Sequence, residues 1–172
     1  MYALGIAPFE RAPLPQGTRG TRQTVDAMTA LARGGSSDPA IRNNALHALR
    51  TYGSTPHDHV SEARALFAWV RDRVKYVQDP VSSEWVQSPR ATLEAMAGDC
   101  DDMAVLLAAM LGAIGIPSKF RVVALDRSRP GEFSHVYTVA MIGGREFPMD
   151  PIYPSNPFGL GLRGSRMMEL SL

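Results

Sequence analysis

The chain has 172 residues, 45% hydrophobic and 20% charged, with 18 basic against 17 acidic side chains and a formal net charge of +1. This is the balance of a globular protein with one sizeable core. It excludes a disordered chain, and the lack of a sustained basic run argues against nucleic acid as a partner.

Residues 1–20 hold Pro8, Pro13, Pro15, Gly17 and Gly20 and read as an arm rather than a packed element. They show no basic start followed by a long apolar stretch, so no secretion signal is expected and the cytoplasm is the default location. Residues 21–153 read as a single domain, α+β in class, helices first and an antiparallel sheet after. Val25, Met28 and Leu31 fall in phase over Thr24–Arg33, with Gly34 as a stop. Asp38-Pro39 caps a second helix whose stripe is Ile41, Ala45, Leu46, Leu49 and Tyr52. Asp58 opens a third, striped by Val60, Ala63, Phe67, Val70 and Val74, and Ser88-Pro89 opens a short fourth through Leu93 and Met96. The run Met103–Ile116 is apolar but broken by Gly112 and Gly115. It is shorter than the roughly 20 residues a membrane span needs, so it reads as a buried core helix and no membrane partner is expected.

From Phe120 the period changes. Phe120–Leu125 and Phe133–Ile142 read as strands, Gly143-Gly144 as a two-residue hairpin loop, and Arg145–Asp150 as the returning strand, with Pro148 marking an edge. Residues 154–172 begin with a Pro/Gly-rich stretch and read as a second arm. Protein partners in a larger assembly are the expected use of both arms.

The single cysteine, Cys100, rules out an intramolecular disulfide and any zinc site needing two thiolates. It stands in Gly98-Asp99-Cys100-Asp101-Asp102, directly before the core helix. A thiol there meets unpaired N–H groups and the positive end of the helix dipole, both of which favour thiolate. The three aspartates oppose this, so a cationic partner is needed, and histidine is the usual one. A lone cysteine is more often a small buried hydrophobe, but a glycine and three aspartates are a poor core wall. With Gly143-Gly144 as the loop, Ile142 pairs with Arg145, Val139 with Pro148 and Tyr137 with Asp150. His135 then shares a face with Asp150 as its diagonal neighbour, at about 7–8 Å between backbones. A carboxylate there can fix the ring's tautomer and stabilise imidazolium.

The Gly98–Asp102 motif, followed by Ala104, Leu106, Leu107, Leu111 and Gly115-Ile116-Pro117, resembles the nucleophile helix of the transglutaminase-like superfamily, which is similar in fold to papain-like cysteine proteases. Phe120–Leu125, Ser134-His135-Val136 and Met149-Asp150-Pro151 match the family's later elements in order and spacing, and Val74-Lys75-Tyr76 with Ser88-Pro89 matches the approach to its cysteine. The resemblance covers about residues 60–153. It implies a core of N-terminal helices packed on a C-terminal antiparallel sheet, with the nucleophile at the start of the central helix. It also implies Cys100 as nucleophile, His135 as base and then acid, and Asp150 as orienting group. A tryptophan common in the family's last hairpin is replaced here by Arg145-Glu146-Phe147-Pro148-Met149. The backbone N–H of Cys100 is one expected oxyanion donor; Trp85, Gln87, Tyr76 and Gln78 remain open as the second.

The expected activity is a cysteine hydrolase or peptidase that cleaves a carboxamide, a peptide or glutamine amide, through an acyl-thioester on Cys100. A peptide or protein is then the substrate. No cofactor is expected. His57-Asp58-His59 reads as a polar turn rather than a metal site. The alternative is a structural component on the same fold with little catalysis. Phage-encoded and virion proteins include such domains, which would place this chain in a virion.

Overall fold

The computed structural model describes residues 9–10, 18–78, 86–130 and 132–172. Five helices occur among them: α1 (Thr18–Ser36), α2 (Pro39–Thr51), α3 (His59–Arg73), α4 (Pro89–Ala95) and α5 (Cys100–Ala113). The strands are β1 (Phe9–Glu10), β2 (Lys75–Tyr76), β3 (Val86–Gln87), β4 (Ala97–Gly98), β5 (Ser118–Ala124), β6 (His135–Ile142), β7 (Arg145–Met149) and β8 (Arg166–Ser171). The caps fall where the short polar residues predict them. Asp38 accepts from Ala40 N–H, Asp58 from Val60 and Ser61, and Ser88 from Ala91. None of the helices is long and apolar enough to cross a membrane.

α5 is the centre of the molecule. From Asp102 to Leu111 every residue is buried, so the helix is apolar all round and must be covered on every side. α1 to α4 pack on it, and β6 closes the remaining side. The main sheet is antiparallel in the order β7-β6-β5-β8. Val136 and Phe120 on its inner face join Ala104, Val105 and Ala108 in one cluster, while Tyr137, Val139 and Val123 form another on the opposite face. Thr138 Oγ1 donates to the Ala104 carbonyl at 2.8 Å, fixing β6 along the helix.

The β6–β7 register is Ile142↔Arg145, Val139↔Pro148 and Thr138↔Met149, in step with the sequence reading. Gly143 and Gly144 have φ of +58° and +74°, the left-handed pair a tight two-residue loop requires.

Two elements differ from expectation. α1 begins at Thr18, inside the stretch read as an arm, and continues through Gly34 and Gly35 to Ser36. A Cβ at Gly35 would lie 2.6 Å from Pro89 Cγ and 3.1 Å from Ala109 Cβ. That glycine therefore admits neighbouring elements rather than ending the helix. The second stretch read as an arm contains β8, which runs along β5 from Lys119↔Ser171 to Ala124↔Arg166. Met168 and Leu170 pack on the core while their neighbours face outward. Two short pairings complete the topology: β1 antiparallel to β3, and β2 parallel to β4.

Candidate active site

The Gly98–Asp102 motif is a helix start in which each residue has a separate duty. Asp99 is the N-cap and accepts from the N–H groups of Asp101 and Asp102 at 3.0 and 3.2 Å. Asp102 answers by accepting from Asp99 N–H at 3.2 Å, completing a capping box. Asp102 is fully buried and also accepts from Gln87, from the backbone N–H at 2.7 Å and from Nε2 at 2.6 Å. It therefore ties β3 to the start of α5. Gly98 is required by closeness, because a Cβ there would lie 2.5 Å from Asp102 Cβ.

Cys100 is the first residue of α5, and the capping box leaves its backbone N–H untaken by the Asp99 side chain. Its Sγ donates to Asp101 Oδ1 at 3.4 Å. Burial, then the charges of Asp101 and Asp99, push the thiol well above its ordinary range; the Val136 backbone N–H opposes them. Burial and the two neighbouring carboxylates thus outweigh the helix dipole in this arrangement.

His135 opens β6, one residue before the Val136 whose N–H meets the sulfur. Its Nε2 lies 2.9 Å from Asp150 Oδ2, and both side chains are almost completely buried. An ionised carboxylate only accepts, so in a neutral ring this contact keeps the proton on Nε2 and leaves Nδ1 as the acceptor. The Tyr137 ring, on the same face, lies 5.9 Å from the imidazole. Asn156 Nδ2 donates to the Asp150 carbonyl at 3.2 Å and holds the chain just past β7. Asp150 Oδ1 is buried without a hydrogen bond among the described residues.

The structure thus joins His135 to Asp150 and brings Cys100 to the strand that carries His135, while the thiol hydrogen bond goes to Asp101. Tyr76 lies beside Gly98 in the β2–β4 pairing, 43% exposed. Burial, and then the nearby Cys100 and Asp99, raise its phenol. Gln87 spends one amide hydrogen on Asp102. Trp85 lies outside the described residues. Ligand atoms of Asp99, Cys100 and Asp101 lie within 4.8 Å of one another, but Asp99 Oδ1 caps α5 and Asp101 Oδ1 accepts from the thiol. At the other histidine pair, His59 Nδ1 meets Glu62 Oε2 and the His57 N–H meets Glu62 Oε1, so Glu62 organises that turn.

The family model of the transglutaminase-like superfamily matches residues 47–151, well over half of the chain, and the chain belongs to that superfamily. No curated protein matches it. Among solved structures it is similar to one from Cytophaga hutchinsonii described as a putative cysteine protease, with a TM-score of 0.50 and 22% identity over 77% of this chain. Another, from Parabacteroides distasonis ATCC 8503 and described as a putative protease, has a TM-score of 0.59 and 14% identity over 86% of this chain. The matched regions take in 52% and 31% of those longer chains, and at such identities the likeness is one of fold.

Proposed function

We propose that the chain is a cysteine hydrolase acting on a carboxamide, with Cys100 as nucleophile, His135 as base and then acid, and Asp150 as orienting group. The observation that carries this reading is the buried His135–Asp150 pair at 2.9 Å, at the start of the strand that packs along the helix Cys100 opens. The superfamily membership and the protease descriptions of the two similar folds support it.

In the reaction the thiol leaves Asp101 and gives its proton to His135 Nδ1, while Asp150 steadies the imidazolium through Nε2. The sulfur attacks the carbonyl carbon, and the Cys100 N–H donates to the developing oxyanion. The C–N bond breaks as His135 returns its proton to the leaving amine. Water, deprotonated by His135, then cleaves the acyl-thioester to a carboxylate and restores the thiol. Gln87, Tyr76 and Trp85 remain candidates for the second oxyanion donor. Hydrolysis is favoured over transamidation because water is always available.

The raised thiol favours a second reading, in which the fold is an interaction component of a larger assembly such as a virion and Cys100 is inert. One experiment separates the two. The chain is incubated with a mixed peptide pool in ¹⁸O-water, and new carboxyl termini are read by mass spectrometry. Labelled termini that vanish in Cys100→Ala are expected. Cleavage that persists in Cys100→Ala, or a pool left intact by the wild type, contradicts the hydrolase.

A further inference from the structure

A cleft of about 420 Å³ opens where the end of α3 and strand β2 face the segment after Asp150. Its floor includes Val74 and Met103, both buried, and Met103 lies one turn along α5 from Cys100. Two of its lining residues neighbour the proposed active site along the chain or the β2–β4 pairing. Pro151 directly follows Asp150, and Tyr76 pairs with Gly98, two residues before Cys100.

The charges lining this cleft are unbalanced. Arg71, Arg73 and Lys75 supply three cations against the single carboxylate of Asp72. Asp72 is already engaged, accepting from Arg71 Nε at 2.7 Å and from Tyr52 Oη at 3.1 Å. Arg73 and Lys75 are exposed; Arg73 also bears on Tyr52 and Asp72, while Lys75 forms no salt bridge among the described residues. Beyond the lining residue Tyr76, the charges of Asp99 and Asp101 bear on its phenol. A field running from a basic cleft to an acidic helix start orients a ligand that carries one negative group. The anion is drawn toward the basic lining and away from Asp99 and Asp101.

We propose that this cleft is a specificity subsite for a peptide residue with a short aliphatic stem and a carboxylate. The stem lies against Ile152, and the carboxylate is taken by Arg73 and Lys75. The assignment rests on the hydrolase reading for its link to catalysis, but the binding it describes is testable apart from turnover.

The probes are Ac-Gly-Glu-Gly-NH2, its Gln and Lys counterparts, and Ac-Gly-Gly-Gly with a free C-terminus, each titrated into the full chain. Two readouts are taken: backbone amide shifts at Val74, Lys75, Tyr76 and Ile152, and protection of Cys100 from iodoacetamide. The Glu peptide is expected to saturate at about tenfold lower concentration than the Gln peptide, with the Lys peptide weaker still. The double variant Arg73→Gln, Lys75→Gln is expected to lose that preference in the backbone shifts. If the free C-terminus matches the Glu peptide, the carboxylate taken is that of a chain end; if it does not, it is that of a side chain. Equal titration by Glu and Gln peptides, or a preference that survives the double variant, overturns the subsite. Labelling of Cys100 no faster than in His135→Ala would remove the hydrolase and leave a Glu preference in the shifts standing.

Discussion

Replacing Asp101 by Asn removes a charge and an ionic acceptor from the Cys100 sulfur together. Burial leads the causes that raise this thiol, with Asp101 and Asp99 next, so Asp101→Asn is expected to bring its titration down. Thiolate is the reactive form. The alkylation rate of the variant should therefore exceed that of the wild type at neutral pH, with its rise displaced to lower pH. Superimposable rate–pH curves would show that Asp101 does not govern the thiol. Asp150→Asn keeps the shape beside His135 but weakens imidazolium stabilisation. kcat is expected to fall by about a hundredfold, less than the loss known for the orienting carboxylate of serine enzymes, with little change in Tm. Full activity with a lowered Tm would make Asp150 a packing residue only. Position 150 was legible from the sequence, since alternation and a glycine pair fix the hairpin register. The Asp101 contact was not, because a local list of charges does not say which carboxylate turns toward the sulfur.

The start of α5 depends on one close approach. Gly98→Ala forces a Cβ to 2.5 Å from Asp102, whose carboxylate holds both Asp99 and β3. The variant is expected to lose stability and iodoacetamide reactivity together, because the strand and helix termini must shift apart. Unaltered Tm and labelling would show that the junction yields at no cost. The helices were readable from their caps and apolar stripes, since those signals are local. β8 and the late end of α1 were not. Met168 and Leu170 become strand residues because β5 offers an edge, and Gly35 stands inside a helix where a side chain would meet Pro89 and Ala109. The duty of Asp102 was hidden for the same reason: its partner Gln87 is fifteen residues away, on β3.

Across the whole molecule, the outer face of the sheet is held by Lys119 and Arg121 of β5, which bridge Glu146 of β7 and Glu169 of β8. The Lys119 and Arg121 contacts hold Glu146 below the usual carboxylate range; at Glu169 burial pulls upward but the same two cations outweigh it. A folded pKa below the unfolded one gives stability that is present above about pH 4.3 and lost as pH falls through the folded value. The urea midpoint should therefore drop from pH 5 toward pH 3, and the Glu146→Gln, Glu169→Gln double variant should flatten part of that drop. Identical slopes would mean that solvent screens the network to nothing. The central claim also spans the molecule, since α5, the start of β6 and the end of β7 must meet for Cys100, His135 and Asp150 to act as one unit. The pH profile of Cys100 alkylation, measured in the wild type and in His135→Ala, tests this most directly. Coupling predicts a wild-type rate between pH 6 and 8 well above that of the variant, whose reactivity appears only as its raised thiol titrates. Coincident profiles would contradict it.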